Sequence, residues 1–93
     1  MPITRINEFK AAEGKELELF EFLTSLTAYI TTSEGNLGCE VLQSQSDNGH
    51  IVVIEKWQNE TAHRESITNY PQEKMQAAMS LIGAPPKGEY YSA

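Results

Sequence analysis

Apolar and polar positions alternate imperfectly from Ile3 to Phe9, and this two-residue period predicts a first strand. Glu13-Gly14 breaks it. From Lys15 to Thr31 the apolar residues Leu17, Leu19, Phe20, Phe22, Leu23, Leu26, Tyr29 and Ile30 recur mostly at helical spacing. That pattern predicts an amphipathic helix with a wide apolar face. Glu13, Glu16 and Glu18 near its start suit the positive end of the helix dipole. Glu34-Gly35-Asn36 carries the glycine stop signal, and Leu37 to Ser46 reads as a second strand. Asp47-Asn48-Gly49 lies between two extended runs and predicts a hairpin connection.

His50 to Trp57 is the most strand-like run, with Ile51, Val52, Val53 and Ile54 consecutive. A continuous apolar run predicts cover on both faces. Helices of the same subunit cover only one, so a second copy of the chain is expected on the other. Asn59 is placed to cap a short helix over Glu60 to Ile67. Asn69-Tyr70-Pro71 interrupts, because the residue before a proline avoids helical geometry. A third helix is expected from Gln72 to Ile82, with Met75, Ala78, Met79 and Ile82 on its apolar stripe. Gly83-Ala84-Pro85-Pro86 would end it, and Glu89 to Ser92 would form a short final strand. No repeat, low-complexity tract or linker is visible, so residues 2–92 read as one domain. The order β-α-β-β-α-α-β predicts an α+β ferredoxin-like sandwich: an antiparallel sheet with its helices on one face. Two such sheets packed face to face would form a homodimer.

Composition narrows the function. A chain of 93 residues has a small core, and association adds buried apolar area where disulfides or a metal do not. The single cysteine, Cys39, excludes an internal disulfide, has no ligand neighbours at metal spacing, and reads as a buried inert thiol before a nucleophile. The first residues lack a signal-peptide pattern, and no apolar run reaches the ~18 residues of a membrane span. With a free thiol, this points to the cytoplasm and to no membrane partner. A formal charge of −6 argues against nucleic acid, which needs a basic footprint.

No nucleophile triad, phosphate-binding glycine loop or metal cluster is visible. The candidate chemistry lies at the junction of the third strand and the following helix. Trp57 reads as a core anchor whose indole N–H can at the same time point into a pocket. His63, one turn into the helix, either satisfies a local hydrogen bond or acts as a base, kept neutral by the positive end of the helix dipole. Asn7, on the first strand, is either a surface amide or a hydrogen-bonding group in an apolar wall. The tyrosines Tyr29, Tyr70, Tyr90 and Tyr91 show no spacing that separates pocket lining from packing, and His50 reads as solvated.

Specific segments carry a family resemblance. Glu34-Gly35-Asn36-Leu37-Gly38-Cys39-Glu40-Val41-Leu42 resembles the EG-x-LG-x-E-x-L opening of the second strand in the antibiotic biosynthesis monooxygenase (ABM) family. Val53-Ile54-Glu55-Lys56-Trp57 followed by Glu60-Thr61-Ala62-His63 resembles that family's E-x-W and A-H junction. Tyr70-Pro71 and Gly83-Ala84-Pro85-Pro86-Lys87 fall where such proteins have them. The resemblance implies a dimeric α+β barrel with a pocket between helices and sheet in each subunit. It also implies oxidation of phenolic, quinol or polyketide-like aromatics by molecular oxygen without a cofactor.

Carried over by position, Trp57 matches the hydrogen-bonding tryptophan of the polyketide-oxidising branch. His63 stands where that branch has a tyrosine and quinol-oxidising relatives have a histidine. The branch's asparagine and arginine fall at Val53 and Ala77, and further histidines of the quinol oxidisers fall at Ile67 and Gln72. Asn7 corresponds to a first-strand asparagine of the haem-degrading branch. That branch's helical tryptophan and histidine fall at Ser66 and Gln76, which disfavours haem. Two readings follow. One is an oxygenase using His63, Trp57 and Asn7; the other is a non-catalytic dimeric ligand-binding or regulatory domain, motivated by the loss of polar groups at Val53 and Ala77.

Overall fold

A computed structural model describes residues 2–93. The elements are β1 (Ile3–Ala11), α1 (Glu16–Thr32), β2 (Asn36–Gln43), β3 (His50–Trp57), α2 (Glu60–Asn69), α3 (Gln72–Met79) and β4 (Ile82–Tyr91). The strands form one sheet in the order β2-β3-β1-β4, every neighbouring pair antiparallel. This is the expected ferredoxin-like α+β arrangement. Side chains of a strand alternate between faces, and in β3 the result is unambiguous: Ile51, Val53, Glu55 and Trp57 are buried while the residues between them are not. The core sits on that covered face, where Ala11, Leu19, Leu23, Ile51 and Val53 cluster under α1. The apolar run of β3 is therefore split, leaving Val52 and Ile54 on a sheet face that no helix of this chain covers.

Local signals explain the joints. Asn59 accepts a hydrogen bond from the Ala62 N–H at 2.9 Å and caps α2. Gly35, just past α1, takes a left-handed φ of 84°, and a Cβ there would lie 2.6 Å from the Ala62 Cβ. Glycine is thus required both by conformation and by the close approach of α2. In the hairpin, Asp47 accepts from the Gly49 N–H at 3.0 Å and pairs with Lys10 at 2.8 Å. Extended pairing ends sooner than expected, because from Ser44 the chain turns back on itself with its hydroxyl 3.3 Å from the Asp47 N–H.

The C-terminal third departs most from expectation. Helix α3 stops at Met79, and Ile82 opens a ten-residue strand that includes Gly83-Ala84-Pro85-Pro86. The prolines are tolerated because β4 is an edge strand and its pairing with β1 shifts register between Glu8 and Lys10. At such an irregularity the missing N–H breaks no ladder bond. The expected α3 stripe is correspondingly reduced: Ala78 is buried, but Met79 is 66% exposed and Ile82 belongs to β4. No helix among the described residues is long and apolar enough to cross a membrane.

Ile51 has none of its surface exposed, whereas Leu17 on α1 is 68% exposed. Ile51→Ala should lower the unfolding free energy by about 2–5 kcal/mol, through lost burial plus a residual cavity. Leu17→Ala should change it by no more than about 0.5 kcal/mol. Urea unfolding followed by circular dichroism measures both.

Candidate active site

Register places a polar row across the covered face of the sheet. Arg5 on β1 is directly opposite Glu55 on β3; Tyr90 on β4 flanks Arg5 and Cys39 on β2 flanks Glu55. Glu55 is 5% exposed, and both its carboxylate oxygens are engaged. The Trp57 indole N–H donates to Oε1 at 2.9 Å, and the Asn7 amide donates from Nδ2 to Oε2 at 3.1 Å. Arg5 in turn donates from Nε to the Asn7 Oδ1 at 3.0 Å. These bonds stabilise the charged carboxylate, but burial outweighs them and holds the Glu55 pKa above the usual carboxylate value. Burial, followed by the charge of Glu55, pushes the Cys39 thiol up to about 11. A thiol held there stays protonated at neutral pH, in keeping with an inert role.

His63 projects from α2 onto the same face and is 4% exposed. Its Nδ1 shares a 2.8 Å hydrogen bond with the Tyr90 hydroxyl, and its ring meets those of Trp57 and Tyr90 edge-on at 5.7 and 5.4 Å. Burial, together with the positive charges of Arg5 and Arg64, lowers its pKa to about 4. The imidazole is therefore neutral at physiological pH. Its Nε2 has no hydrogen-bond partner among the described residues, yet no fully buried side-chain nitrogen or oxygen among them is left unpaired. Nε2 accordingly reaches open space.

That space is a cavity of about 190 Å3 between the sheet and α1, α2 and α3, lined largely by apolar side chains with Arg5, Asn7, Glu55 and His63 as its charged and polar groups of interest. An outer groove of about 730 Å3 adjoins it, sharing Leu26, Tyr29 and Tyr70. Tyr29 and Tyr70 meet edge-on at 5.0 Å where the two spaces join, and the Tyr29 hydroxyl is tied to the Ser66 carbonyl at 2.8 Å. Ala77 lies on the outer groove and Val53 on the inner chamber.

Two of the three residues singled out from sequence, His63 and Asn7, line the chamber. Trp57 is wholly buried and does not; its indole N–H is committed to Glu55. Sequence reasoning missed three groups. Glu55 was detectable by its two-residue spacing with Ile51, Val53 and Trp57, which puts a carboxylate on the buried face. Arg5 was detectable in the same way from Asn7 and Phe9. Tyr90 carried no local signal, since only the β1–β4 pairing brings it to His63. Among the described residues no group of three or more His, Cys, Asp or Glu side chains converges as a metal site.

The fold and site thus define a four-stranded antiparallel sheet with a helix-covered, largely apolar chamber carrying a few polar groups. The family profile of antibiotic biosynthesis monooxygenases matches residues 2–78, and the chain belongs to that family. No curated protein matches the chain by sequence. Among solved structures, Rv0793 from Mycobacterium tuberculosis superposes with a TM-score of 0.87 at 16% identity, covering 100% of this chain and 95% of that one. SnoaB, a cofactor-independent oxygenase from Streptomyces nogalater, superposes with a TM-score of 0.83 at 18% identity, covering 99% and 92%. Protein SO0527 from Shewanella oneidensis gives 0.86 at 23% identity, covering 97% and 88%. At these identities the likeness establishes the fold.

The lowered pKa of His63 makes stability pH-dependent with a definite sign. Between its ordinary value of 6.5 and about 4, the unfolded chain binds a proton that the folded chain refuses. Stability is therefore lost as pH falls through this window, by about 3 kcal/mol once it is fully crossed. Glu55, shifted upward, acts in the opposite direction. Urea midpoints of the parent should fall with acidification in this range more steeply than those of His63→Gln.

Proposed function

We propose that the chain is a cofactor-independent oxygenase acting on a phenolic, quinol or polyketide-like aromatic. The observation that carries this reading is the placing of an uncharged His63, with an accessible Nε2, in a largely apolar chamber beside Arg5 and Asn7. When Nδ1 donates its proton to the Tyr90 oxygen, Nε2 carries the lone pair and accepts the proton of a substrate hydroxyl. A base held at about 4 is too weak to ionise a phenol unaided. The anion must be stabilised where it forms, by the field of Arg5 and the remaining amide N–H of Asn7. Trp57 acts at one remove, as a positioning residue that holds Glu55, which in turn holds Asn7.

The electron-rich anion then reacts with oxygen itself. For an anthrone, one oxygen atom enters at the methylene carbon as a carbonyl and the other leaves as water with the two methylene hydrogens, so no external reductant is consumed. The likeness to SnoaB and membership of the family support this chemistry for the chain.

The working unit in this reading is a homodimer in the cytoplasm. Register puts Ile6, Val52, Ile54 and Leu42 together on the uncovered sheet face, and Leu42 is 47% exposed. Burying such a face is the ordinary fate of a half-apolar sheet. Sedimentation should give twice the protomer mass, and Ile54→Lys should shift the particle to the monomer; a parent that sediments as a monomer at micromolar concentration removes the dimer.

Oxygen uptake with anthrone and 1,4-hydroquinone tests the chemistry. His63→Ala should lower turnover by about 100-fold or more, the scale of a lost general base. Equal turnover by variant and parent removes His63 from the mechanism. Binding of aromatics without any oxygen uptake by the parent favours the non-catalytic ligand-binding domain instead.

A further inference from the structure

Arg5 is a cation on the chamber wall that makes no direct ion pair among the described residues. Guanidinium has five N–H donors, and among the described residues one is used, from Nε to Asn7. Among the described residues the ion pairs join Lys10 to Asp47, Lys15 to Glu18, His50 to Glu8 and Arg64 to Glu60; Arg5 is in none of them. Its register neighbour is a carboxylate, Glu55, but the oxygens of that group accept from Trp57 and Asn7 and make no hydrogen bond to Arg5. The Asn7 amide stands between the two charges, bonded to each.

The position of Arg5 is specified from outside as well. Its guanidinium stacks 4.7 Å from the centroid of the Tyr90 ring and lies over Gly88, where a Cβ would overlap its terminal nitrogen. A second guanidinium, Arg64, lies 6.0 Å from the centroid of the same ring, but it is largely exposed and ion-paired with Glu60.

We infer that Arg5 is an anion anchor, and that the chamber takes an aromatic ring carrying both a hydroxyl and a carboxylate, with the acid group on Arg5 and the hydroxyl toward His63. The size agrees: a cavity of about 150 Å3 holds benzene, so about 190 Å3 accommodates one ring with small polar substituents. Guanidinium favours this partner because its planar fork donates two parallel bonds to a carboxylate. Larger aromatics would continue past Tyr29 and Tyr70 into the outer groove.

The assignment has a consequence for the base. His63 faces Arg5 from β1, Glu55 from β3, Tyr90 from β4 and Arg64 from its own helix. A carboxylate on Arg5 cancels one of the two charges that disfavour the imidazolium. Binding of the acid therefore raises the His63 pKa, and the base strengthens when its substrate is in place. This deepens the oxygenase reading and rests on its identification of the chamber as the substrate site, but the anchor is measurable without turnover.

Calorimetric titration of the full chain with 2-hydroxybenzoate and 2-hydroxybenzamide separates charge from shape. The parent should bind the acid roughly tenfold or more tightly than the amide, the scale of one charge-assisted hydrogen bond. Arg5→Gln should abolish that ratio, and Arg5→Lys should restore part of it. Gly88→Ala, which keeps the arginine but obstructs its seat, should also reduce it. Circular dichroism checks that each variant is folded. With only two histidines in the chain, the His63 resonance is readily followed by NMR, and its titration should move upward with the acid bound and stay put with the amide. Equal affinity for acid and amide in the parent, a preference that survives Arg5→Gln, or binding of neither compound overturns the anchor. Oxidation of anthrone by a parent without acid preference would overturn the anchor and leave the oxygenase reading standing. Acid binding that depends on Arg5 without oxygen uptake from any phenol would do the reverse.

Discussion

Glu55 puts a carboxylate on the covered face of the sheet, where loss of water works against its charge, and much of the site is arranged around that fact. Trp57 and Asn7 donate one hydrogen bond to each oxygen, which gives the tryptophan a fixed ring position and the asparagine a fixed amide orientation. The orientation of Asn7 then presents its carbonyl to the Arg5 Nε. A buried carboxylate with either donor removed would retain an uncompensated oxygen, which is more costly than never having made the bond. The row from Tyr90 to Cys39 is therefore one coupled unit spread over four strands, and its geometry depends on the register of the sheet.

The same burial shifts Glu55 and His63 in opposite directions. Desolvation disfavours the charged form of each, raising the carboxyl of Glu55 and lowering the imidazole of His63. Arg5 and Arg64 add to the effect at His63, whereas at Glu55 the charge of Arg5 opposes it. The result is a chamber with an uncharged imidazole facing a hydrogen-bonded carboxyl across a small, mostly apolar space. Such an environment strengthens each electrostatic contact made inside it, so a single guanidinium has large leverage on what binds and on how readily a proton moves.

How much of this was legible in the chain depends on the range of the interaction. Local signals succeeded where the structure is local: the period of α1, the Asn59 cap, the glycine at 35 and the hairpin at Asp47-Asn48-Gly49 all lie where the pattern placed them. They failed at the C-terminal third. Gly83-Ala84-Pro85-Pro86 reads as a helix stop followed by a loop, yet it is strand, because an irregular edge pairing with β1 overrides local preference. The junction of Trp57 and His63 was visible as a resemblance, but the direction of the indole N–H was not. That direction depends on Glu55, whose carboxylate accepts from the indole on one oxygen and from Asn7 of β1 on the other.

The sequence by itself determined the element order and the fold family, since helix and strand periods are properties of neighbouring residues. Tertiary structure decided what those side chains do. Arg5, Glu55, His63 and Tyr90 are widely separated along the chain and share one chamber only because β1 pairs with β3 on one side and β4 on the other. Whether a polar group is engaged or left free is a property of that pairing: it satisfies both oxygens of Glu55 and leaves most of the Arg5 guanidinium without a partner.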